Sequence, residues 1–172
     1  DDLDLKPIII PEMQRSLNAY KDQIAFKKIQ DIIKEFKPDI VHTHAAKAGA
    51  LGRRAAYKLG VKQIYHTFHG HVFHSYFGSF KTKIFKEIER NLAKKTTKII
   101  AISDIQKREL SKIHRICPEK NIEVIPLGFD LERFSTNKDL KRKEFRKKWN
   151  IKENEIAIGI IGRLVPIKNH FF

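Results

Sequence analysis

The sequence predicts an α/β fold with a parallel sheet, and two observations lead to this prediction. Short runs rich in β-branched residues are each followed by a longer segment in which apolar residues recur at helical spacing. Strands joined by single helices form parallel βαβ units, and continuously apolar strands are typical of a sheet covered on both faces. A length of 172 residues allows one ordinary domain, or one domain and part of a second.

The first half of the chain alternates between strand and helix signals. The run 6–11 places isoleucines between prolines and predicts an edge or terminal strand. Amphipathic spacing predicts a helix over 16–36, ended by Pro38, and an alanine-rich helix over 47–59, stopped by Gly60. The next two strands are predicted at 39–43 and 63–68.

The same alternation continues as far as residue 126. A helix with one basic face is predicted over 80–92, and strands are predicted at 98–102 and 122–126. Residues 103–106, Ser-Asp-Ile-Gln, fit a capping box that opens a helix towards Ile116. In such a box the serine hydroxyl and the glutamine side chain satisfy free backbone donors.

The composition changes after Gly128. The later elements are predicted as a linker over 131–137, a strongly basic helix over 138–149 and a new buried strand over 156–162. We therefore expect two domains, residues 1–130 and residues 131–172. The loop 162–169 leads towards a helix that the last three residues do not provide, so we expect the chain to be a fragment.

Charge is the unusual feature of the composition. A formal net charge of +15 and a pI near 9.9 favour anionic partners such as nucleic acid, acidic lipid or nucleotide phosphates, without choosing among them. The alternative is a lysine-rich protein with solvated helix faces. Cys117 is the sole cysteine, which fits a reducing cytosol, and the acidic opening 1–4 is no secretory signal. We expect a cytoplasmic protein.

Histidines cluster at the ends of two predicted strands: His42, His44, His66, His69, His71 and His74. Imidazole is a common zinc ligand, but no Asp, Glu or Cys lies close in sequence to complete a mixed ligand set. Histidines that only hydrogen-bond around a strand end are the alternative. For His69, beside the turn glycine Gly70, we favour a substrate contact, because ligands of open α/β sheets bind outside the carboxyl ends of the strands.

Two further segments have the chemistry to bind phosphate. Lys47 and Gly49 begin the helix after His44, and small residues at a helix start let a phosphate approach free N–H groups; tight packing of the helix on the sheet explains the glycines equally well. Arg163 and Lys168 follow the last predicted strand, where two cations suit a diphosphate. In so basic a chain, the two cations alone carry little weight.

An aromatic loop precedes the basic helix. Phe73, Tyr76, Phe77 and Phe80 could enter an anionic lipid surface or hold a lipid-linked acceptor. Rings buried in a core are the alternative, and stacking on single-stranded nucleic acid is another, although no RNP-like pattern accompanies the aromatics.

Taken together, these residues resemble the retaining glycosyltransferases of family 4, which have the two-domain GT-B fold. The resemblance covers nearly the whole chain, in the family's order. Its motifs are DIVHTH at 39–44, KAG at 47–49, LGR at 51–53, HTFHGH at 66–71, residues 89–90, residues 102–103, VIPLGFD at 124–130 and GRLVPIKN at 162–169.

The resemblance implies a division of the chain and a set of roles. Residues 1–130 would be the acceptor-side, N-terminal Rossmann-like domain without its first strands. Residues 131–172 would be a linker and the first helix and strand of the nucleotide-sugar-binding domain. The implied catalytic residues are His69, which lies against the donor sugar, and Arg163 and Lys168, which hold the diphosphate and stabilise the departing phosphate. The implied substrate-binding residues are His44, Lys47, Gly49, Gly70 and His71.

The function implied by the resemblance is transfer of a sugar from a nucleotide-sugar donor to a lipid-linked or saccharide acceptor, with retention of configuration, in cell-surface polysaccharide synthesis. No metal, cofactor or nucleic acid is expected, and the protein would work in the cytoplasm or peripherally at the inner face of an anionic plasma membrane. We expect the 172 residues alone to be inactive. The alternatives are a non-catalytic basic α/β module that binds nucleic acid or anionic lipid, and a metal-dependent hydrolase.

Overall fold

Four parallel strands form the sheet of the computed structural model, which describes residues 6–14, 16–70 and 79–164. The strands are β1 (Ile40–His44), β2 (Gln63–Phe68), β3 (Lys98–Ala101) and β4 (Ile122–Val124). They lie side by side in chain order, and each pairs in parallel with the next. The predicted α/β fold with a parallel sheet is confirmed.

Helices connect the strands and follow the sheet. They are α1 (Ala19–Phe36), α2 (Ala46–Lys58), α3 (Ser79–Ala93), α4 (Asp104–Arg108), α5 (Glu132–Ser135) and α6 (Lys138–Lys148). A π-helical turn, Glu109–Ile113, continues α4, and a 3₁₀ turn, Glu119–Asn121, precedes β4. The region predicted as a linker, 131–137, therefore contains the short helix α5.

Polar caps decide where α1 begins and ends. The helix starts three residues later than predicted because the side chain of Asn18 accepts a hydrogen bond from the Lys21 N–H (3.0 Å). Asp22 in turn accepts a hydrogen bond from the Asn18 N–H at 3.3 Å. At the other end Lys37 turns left-handed, with φ of 49°, and its N–H bonds to the carbonyl of Ile33.

The helix after β3 begins as predicted and then departs from α geometry. Ser103 accepts from the Gln106 N–H at 3.2 Å, and the Gln106 side chain accepts from the Ile102 N–H at 2.9 Å. The glutamine thus satisfies the donor one residue before the cap. The segment widens into the π turn at Glu109, so the helix predicted to run towards Ile116 is half α and half π.

Two apolar clusters form the core. One joins α1 and α2 to β2 through Ala25, Phe26, Ile33, Leu51, Ala55, Ala56 and Ile64. The other joins β2, β3 and β4 to the helices that follow through Phe68, Ala93, Ile99, Ala101, Leu110, Ile116 and Ile122. Burial of each large apolar side chain contributes roughly 1.5–3 kcal/mol to stability. These clusters hold the strands of the sheet in position. The histidines lie at the carboxyl edge of that sheet.

Two strand predictions are wrong. Residues 6–10 are irregular, with Ile8 and Ile9 exposed, and no described strand pairs with them. The run 156–161 also pairs with none of the described strands; Ile156 and Ile158 are 89% and 90% exposed. Apolar runs become strands only where a neighbouring strand accepts their backbone hydrogen bonds, and the described residues supply none to either run.

The chain divides into two units, one ending at Leu127 and the other beginning at Gly128. In the second unit Arg146 of α6 is buried and donates to the carbonyl of Glu155 at 2.9 Å, while Arg142 pairs with Glu153 at 2.7 Å. The basic helix predicted over 138–149 is present. The assignment of the two parts of the chain, 1–130 and 131–172, to acceptor-side and donor-side domains stays a prediction.

Candidate active site

The carboxyl edge of the sheet brings two histidines together. His44 ends β1, and His69 directly follows β2. Nδ1 of His44 lies 2.9 Å from Nε2 of His69, and the two rings stack with centroids 5.1 Å apart. Both side chains are exposed, so a ligand can reach them from solvent. The parallel pairing of β1 with β2 brings the two histidines together, because its register places His44 opposite Thr67, two residues before His69.

His42 supports this pair from within the sheet. Its Nε2 lies 2.8 Å from the hydroxyl of Thr67, and its ring centroid is 4.4 Å from that of His44. Loss of hydration lowers the pKa of His42, and the nearby rings of His44 and His69 lower it further. His42 is therefore a neutral ring at neutral pH.

His66 is a core residue. It is 1% exposed, and its Nδ1 lies 2.9 Å from the hydroxyl of Thr43. The Thr43 hydroxyl donates its single hydrogen to the carbonyl of Tyr65 (3.1 Å), so it accepts from His66, which carries its proton on Nδ1. Burial lowers the pKa of His66 to about 3, and the positive charge of Arg53 adds to the effect. This histidine fits the purely structural alternative.

The glycines of α2 make room for these strand residues. A Cβ on Gly49 would overlap Cε1 of His66 and lie 2.8 Å from its Nδ1. A Cβ on Gly52 would lie 2.8 Å from the methyl group of Thr43. Tight packing of the helix on the sheet thus explains both glycines. The further role of Gly49 as a substrate contact stays a prediction, and its N–H already bonds to the carbonyl of Ala45.

Lys47 is held by the segment before α1. Its ammonium donates to the carbonyls of Gln14 (2.8 Å) and Ser16 (2.6 Å) and forms an ion pair with Asp22. Two of the three N–H donors of the ammonium are thus used by backbone carbonyls, and its charge is paired with a carboxylate. A phosphate would have to compete with these partners. That Lys47 contacts substrate stays a prediction.

The amino end of α2 lies at the same edge, directly after His44. Its cap residue, Ala45, has φ of 61° and ψ of 158°, a conformation that costs a non-glycine residue of order 1–3 kcal/mol. No described side chain caps the helix, and its first turn contains no acidic residue. The positive end of the helix dipole and the first N–H groups of α2 therefore face the edge without a side-chain cap.

A buried ion pair is a feature that sequence reasoning missed. Arg53 of α2 is fully buried, with Nη2 2.7 Å from Oε2 of Glu89 in α3 and Nε 3.1 Å from the carbonyl of Gly49. Burial raises the pKa of Glu89, against the opposing effect of Arg53. The partners are 36 positions apart, and no local spacing rule predicts their contact. The two residues belong to motifs quoted above for the family resemblance, but that resemblance assigned them no role.

The remaining predicted site residues are placed as follows. Gly70 follows His69 with φ of 153°, and no described atom lies within 4 Å of the position of a Cβ, so glycine is required there by the backbone. Arg163 is exposed in the second unit. His71 and Lys168 lie outside the described residues. Within the described ranges, no group of three or more His, Cys, Asp or Glu side chains could hold a metal ion, and no helix is long and apolar enough to cross a membrane.

The parallel sheet with helices between its strands is a Rossmann-like α/β fold, of the kind found in GT-B proteins. The chain belongs to Glycosyltransferase Family 4, whose sequence profile matches residues 5–133. A relative from Escherichia coli, UDP-Gal:alpha-D-GlcNAc-diphosphoundecaprenol alpha-1,3-galactosyltransferase, is 36% identical over 171 residues. The match covers 98% of this chain and 43% of the relative, so the chain spans less than half the relative's length.

A solved structure supports the fold. UDP-GlcNAc 2-epimerase from Neisseria meningitidis bound to UDP-GlcNAc superposes with a TM-score of 0.52 at 14% sequence identity. The superposition covers 83% of this chain and 38% of the epimerase. At that identity the likeness shows the shared fold alone.

Proposed function

We propose that this chain is part of a glycosyltransferase that moves a sugar from a nucleotide-sugar donor to a lipid-linked acceptor, with retention of configuration, in the synthesis of a cell-surface polysaccharide. Membership of Glycosyltransferase Family 4 supports the reaction class. The exposed His44–His69 pair at the carboxyl edge of a parallel sheet is the observation that carries the site, since ligands of such sheets bind at this edge.

The relative's name suggests the two substrates. It pairs a uridine diphosphate sugar with a GlcNAc-diphosphoundecaprenol acceptor. We infer the same two chemical classes here: a UDP-sugar as donor, and a sugar carried on a polyprenyl diphosphate as acceptor. A net charge of +15 suits two substrates that both carry diphosphates, and it suits peripheral contact with the anionic inner face of the plasma membrane.

In the proposed reaction His69 contacts the donor sugar, and Arg163 and Lys168 bind the donor diphosphate. As the sugar–phosphate bond breaks, negative charge develops on the departing phosphate, and cations placed there stabilise it. The departing phosphate takes the proton of the acceptor hydroxyl. Gly70 gives the turn that presents His69, while His44, His71, Lys47 and Gly49 complete the predicted substrate-binding set.

The test is sugar transfer by the full-length gene product, assayed with UDP-, GDP- and ADP-sugars and a polyprenyl-diphosphate-linked acceptor. Transfer or slow hydrolysis with one nucleotide class is expected. Arg163→Ala and Lys168→Ala should each lower kcat/KM by 10²-fold or more, as loss of a charge-stabilising group does. Lys138→Ala removes an exposed cation of α6 and is the matched control for charge.

Absence of binding and hydrolysis with every nucleotide sugar would overturn the proposal. Steeply salt-dependent binding of oligonucleotides or anionic vesicles that survives His69→Ala would favour the non-catalytic basic module.

A further inference from the structure

The contact between His44 and His69 joins two ring nitrogens, and this restricts both rings. Nδ1 of His44 and Nε2 of His69 are 2.9 Å apart, a hydrogen-bond distance. One nitrogen must carry a hydrogen and the other must keep its lone pair. Two protonated rings leave no acceptor at this contact, so the pair holds only while at least one ring is neutral.

When both rings are neutral, two arrangements satisfy the bond. If Nε2 of His69 donates, both rings are Nε2–H tautomers and Nδ1 of His69 is an acceptor. If Nδ1 of His44 donates, both rings are Nδ1–H tautomers and Nδ1 of His69 is a donor. A neutral histidine side chain favours the Nε2–H form, so the first arrangement is the one that both rings prefer. In either case the bond made by one nitrogen decides what the other offers a ligand.

The surroundings hold His44 in place. Its ring lies between those of His42, at 4.4 Å, and His69, at 5.1 Å between centroids. His42 is anchored in turn by its 2.8 Å contact with the Thr67 hydroxyl, on the strand that leads to His69. Three rings therefore form a row, two of them on β1 and the third directly after β2, and the Thr67 hydroxyl of β2 anchors the first.

We propose that His44 is a positioning residue, which holds His69 as the Nε2–H tautomer so that Nδ1 of His69 accepts a hydrogen bond from a hydroxyl of the donor sugar. The proposal rests on the proposed function and refines it, because His44 acts through His69. A sugar hydroxyl both donates and accepts, so a mixture of His69 tautomers would bind it in two ways and orient it poorly.

The test separates the hydrogen bond from the ring stacking. His44→Phe keeps an aromatic ring but cannot accept from His69, whereas the side-chain oxygen of His44→Gln can. Long-range ¹H–¹⁵N correlation spectra of the full-length gene product, labelled in histidine, report the tautomer of His69. The expected wild-type result is Nε2–H, changing to a mixture in His44→Phe and returning in His44→Gln.

Kinetics supply the second readout. His44→Phe should lower kcat/KM for the donor sugar about tenfold, the effect expected of a partner that orients a functional histidine. His44→Gln should recover part of the kcat/KM that His44→Phe loses, because its side-chain oxygen can again accept from His69. His42→Gln alters the row of rings but leaves both nitrogens of the His44–His69 bond, so it should lower kcat/KM less than His44→Phe does. His44→Ala replaces His44→Phe if that variant unfolds.

An Nδ1–H tautomer for His69 in the wild type would overturn the proposal, as would unchanged tautomer and kinetics in both His44→Phe and His44→Ala. A gene product with no activity towards any sugar nucleotide would instead overturn the proposed function, while the spectra would still decide the role of His44.

Discussion

The imidazole of His66 lies against Gly49 and donates to Thr43, away from water. An unfolded chain leaves the same ring hydrated, with an ordinary pKa near 6.5, whereas burial lowers the pKa to about 3 in the folded protein. At every pH between these two values, His66 therefore binds more protons in the unfolded state than in the folded state.

Stability should consequently fall as the pH is lowered from 6.5 towards 3. We expect the free energy of unfolding to drop by up to about 1.4 kcal/mol per pH unit from this group. Urea unfolding at pH 7, 6 and 5 measures this drop in the free energy of unfolding. The carboxylates of Glu12 and Glu153 titrate mainly below this pH range, because their lysine and arginine partners lower their pKa values.

His66→Gln is the matched variant, because it keeps a donor for Thr43 but does not titrate. Its unfolding free energy should be flatter with pH than that of the wild type. His42, whose pKa is lowered, and Glu89, whose pKa is raised by burial, stay in both proteins and cancel from the comparison. Equal slopes for the two proteins would contradict the assignment.

Gly49 gives a second prediction for a single residue. Alanine is about 1 kcal/mol better than glycine in a helix, so Gly49→Ala would stabilise an unpacked helix. Here the added Cβ overlaps the His66 ring, and forcing the two apart costs about 1–3 kcal/mol. We expect a net loss of stability, measured by thermal unfolding. Gly128→Ala, where no described atom lies within 4 Å of the new Cβ, should change stability by less than about 0.5 kcal/mol.

Between elements, the Arg53–Glu89 pair joins α2 to α3. Removal of one partner leaves the other charge buried, which costs about 3–5 kcal/mol, whereas two apolar replacements leave no charge behind. Arg53→Met and Glu89→Leu should each be strongly destabilising, and the double variant should be more stable than either single variant. A double-mutant cycle by urea unfolding measures the coupling; additive effects would show that the pair does not act as a unit.

Most elements could be predicted from the sequence, because their signals are local. Strand β2 has the predicted ends, and α6 differs by one residue. The runs 6–11 and 156–162 failed because β-branched composition reports the tendency to be a strand but not the presence of a neighbour to pair with. The π turn at Glu109–Ile113 also has no local signature.

The site could be predicted in part for the same reason. Parallel pairing implies that the carboxyl ends of neighbouring strands meet at one edge of the sheet. The predicted histidine cluster lies there, and it includes the His44–His69 contact, which the sequence did not predict. The acidic partners of Lys47 and Arg53 lie more than 20 positions away in the sequence, and only the tertiary fold brings them together. From the sequence, Lys47 at the start of a helix suggested phosphate binding. In the structure its ammonium group already contacts Gln14, Ser16 and Asp22.

At the scale of the whole molecule, unpaired strand edges and exposed apolar runs favour self-association. None of the described strands covers the outer edge of β1, and Ile156, Ile158 and Ile161 are at least 89% exposed. We expect the 172-residue chain, expressed alone, to form oligomers that grow with concentration in size-exclusion chromatography with light scattering.

A charge on the exposed run should reduce that association. Ile158→Lys combined with Ile161→Lys is expected to shift the chain towards the monomer, while Tyr57→Lys, which removes an exposed ring from α2, should have little effect. A monodisperse wild-type monomer with a sharp thermal transition would contradict the expectation.

The engagement of Lys47 also has a consequence for its chemical reactivity. An amine attacks an acylating reagent only through a free lone pair. The ammonium of Lys47 must therefore leave two carbonyls and a carboxylate and lose a proton before it reacts. During timed acetylation followed by peptide mass spectrometry, Lys47 should be modified later than exposed lysines such as Lys58 and Lys62. Its rate of modification then reports how often the start of α1 separates from the start of α2, and Asp22→Asn should raise that rate.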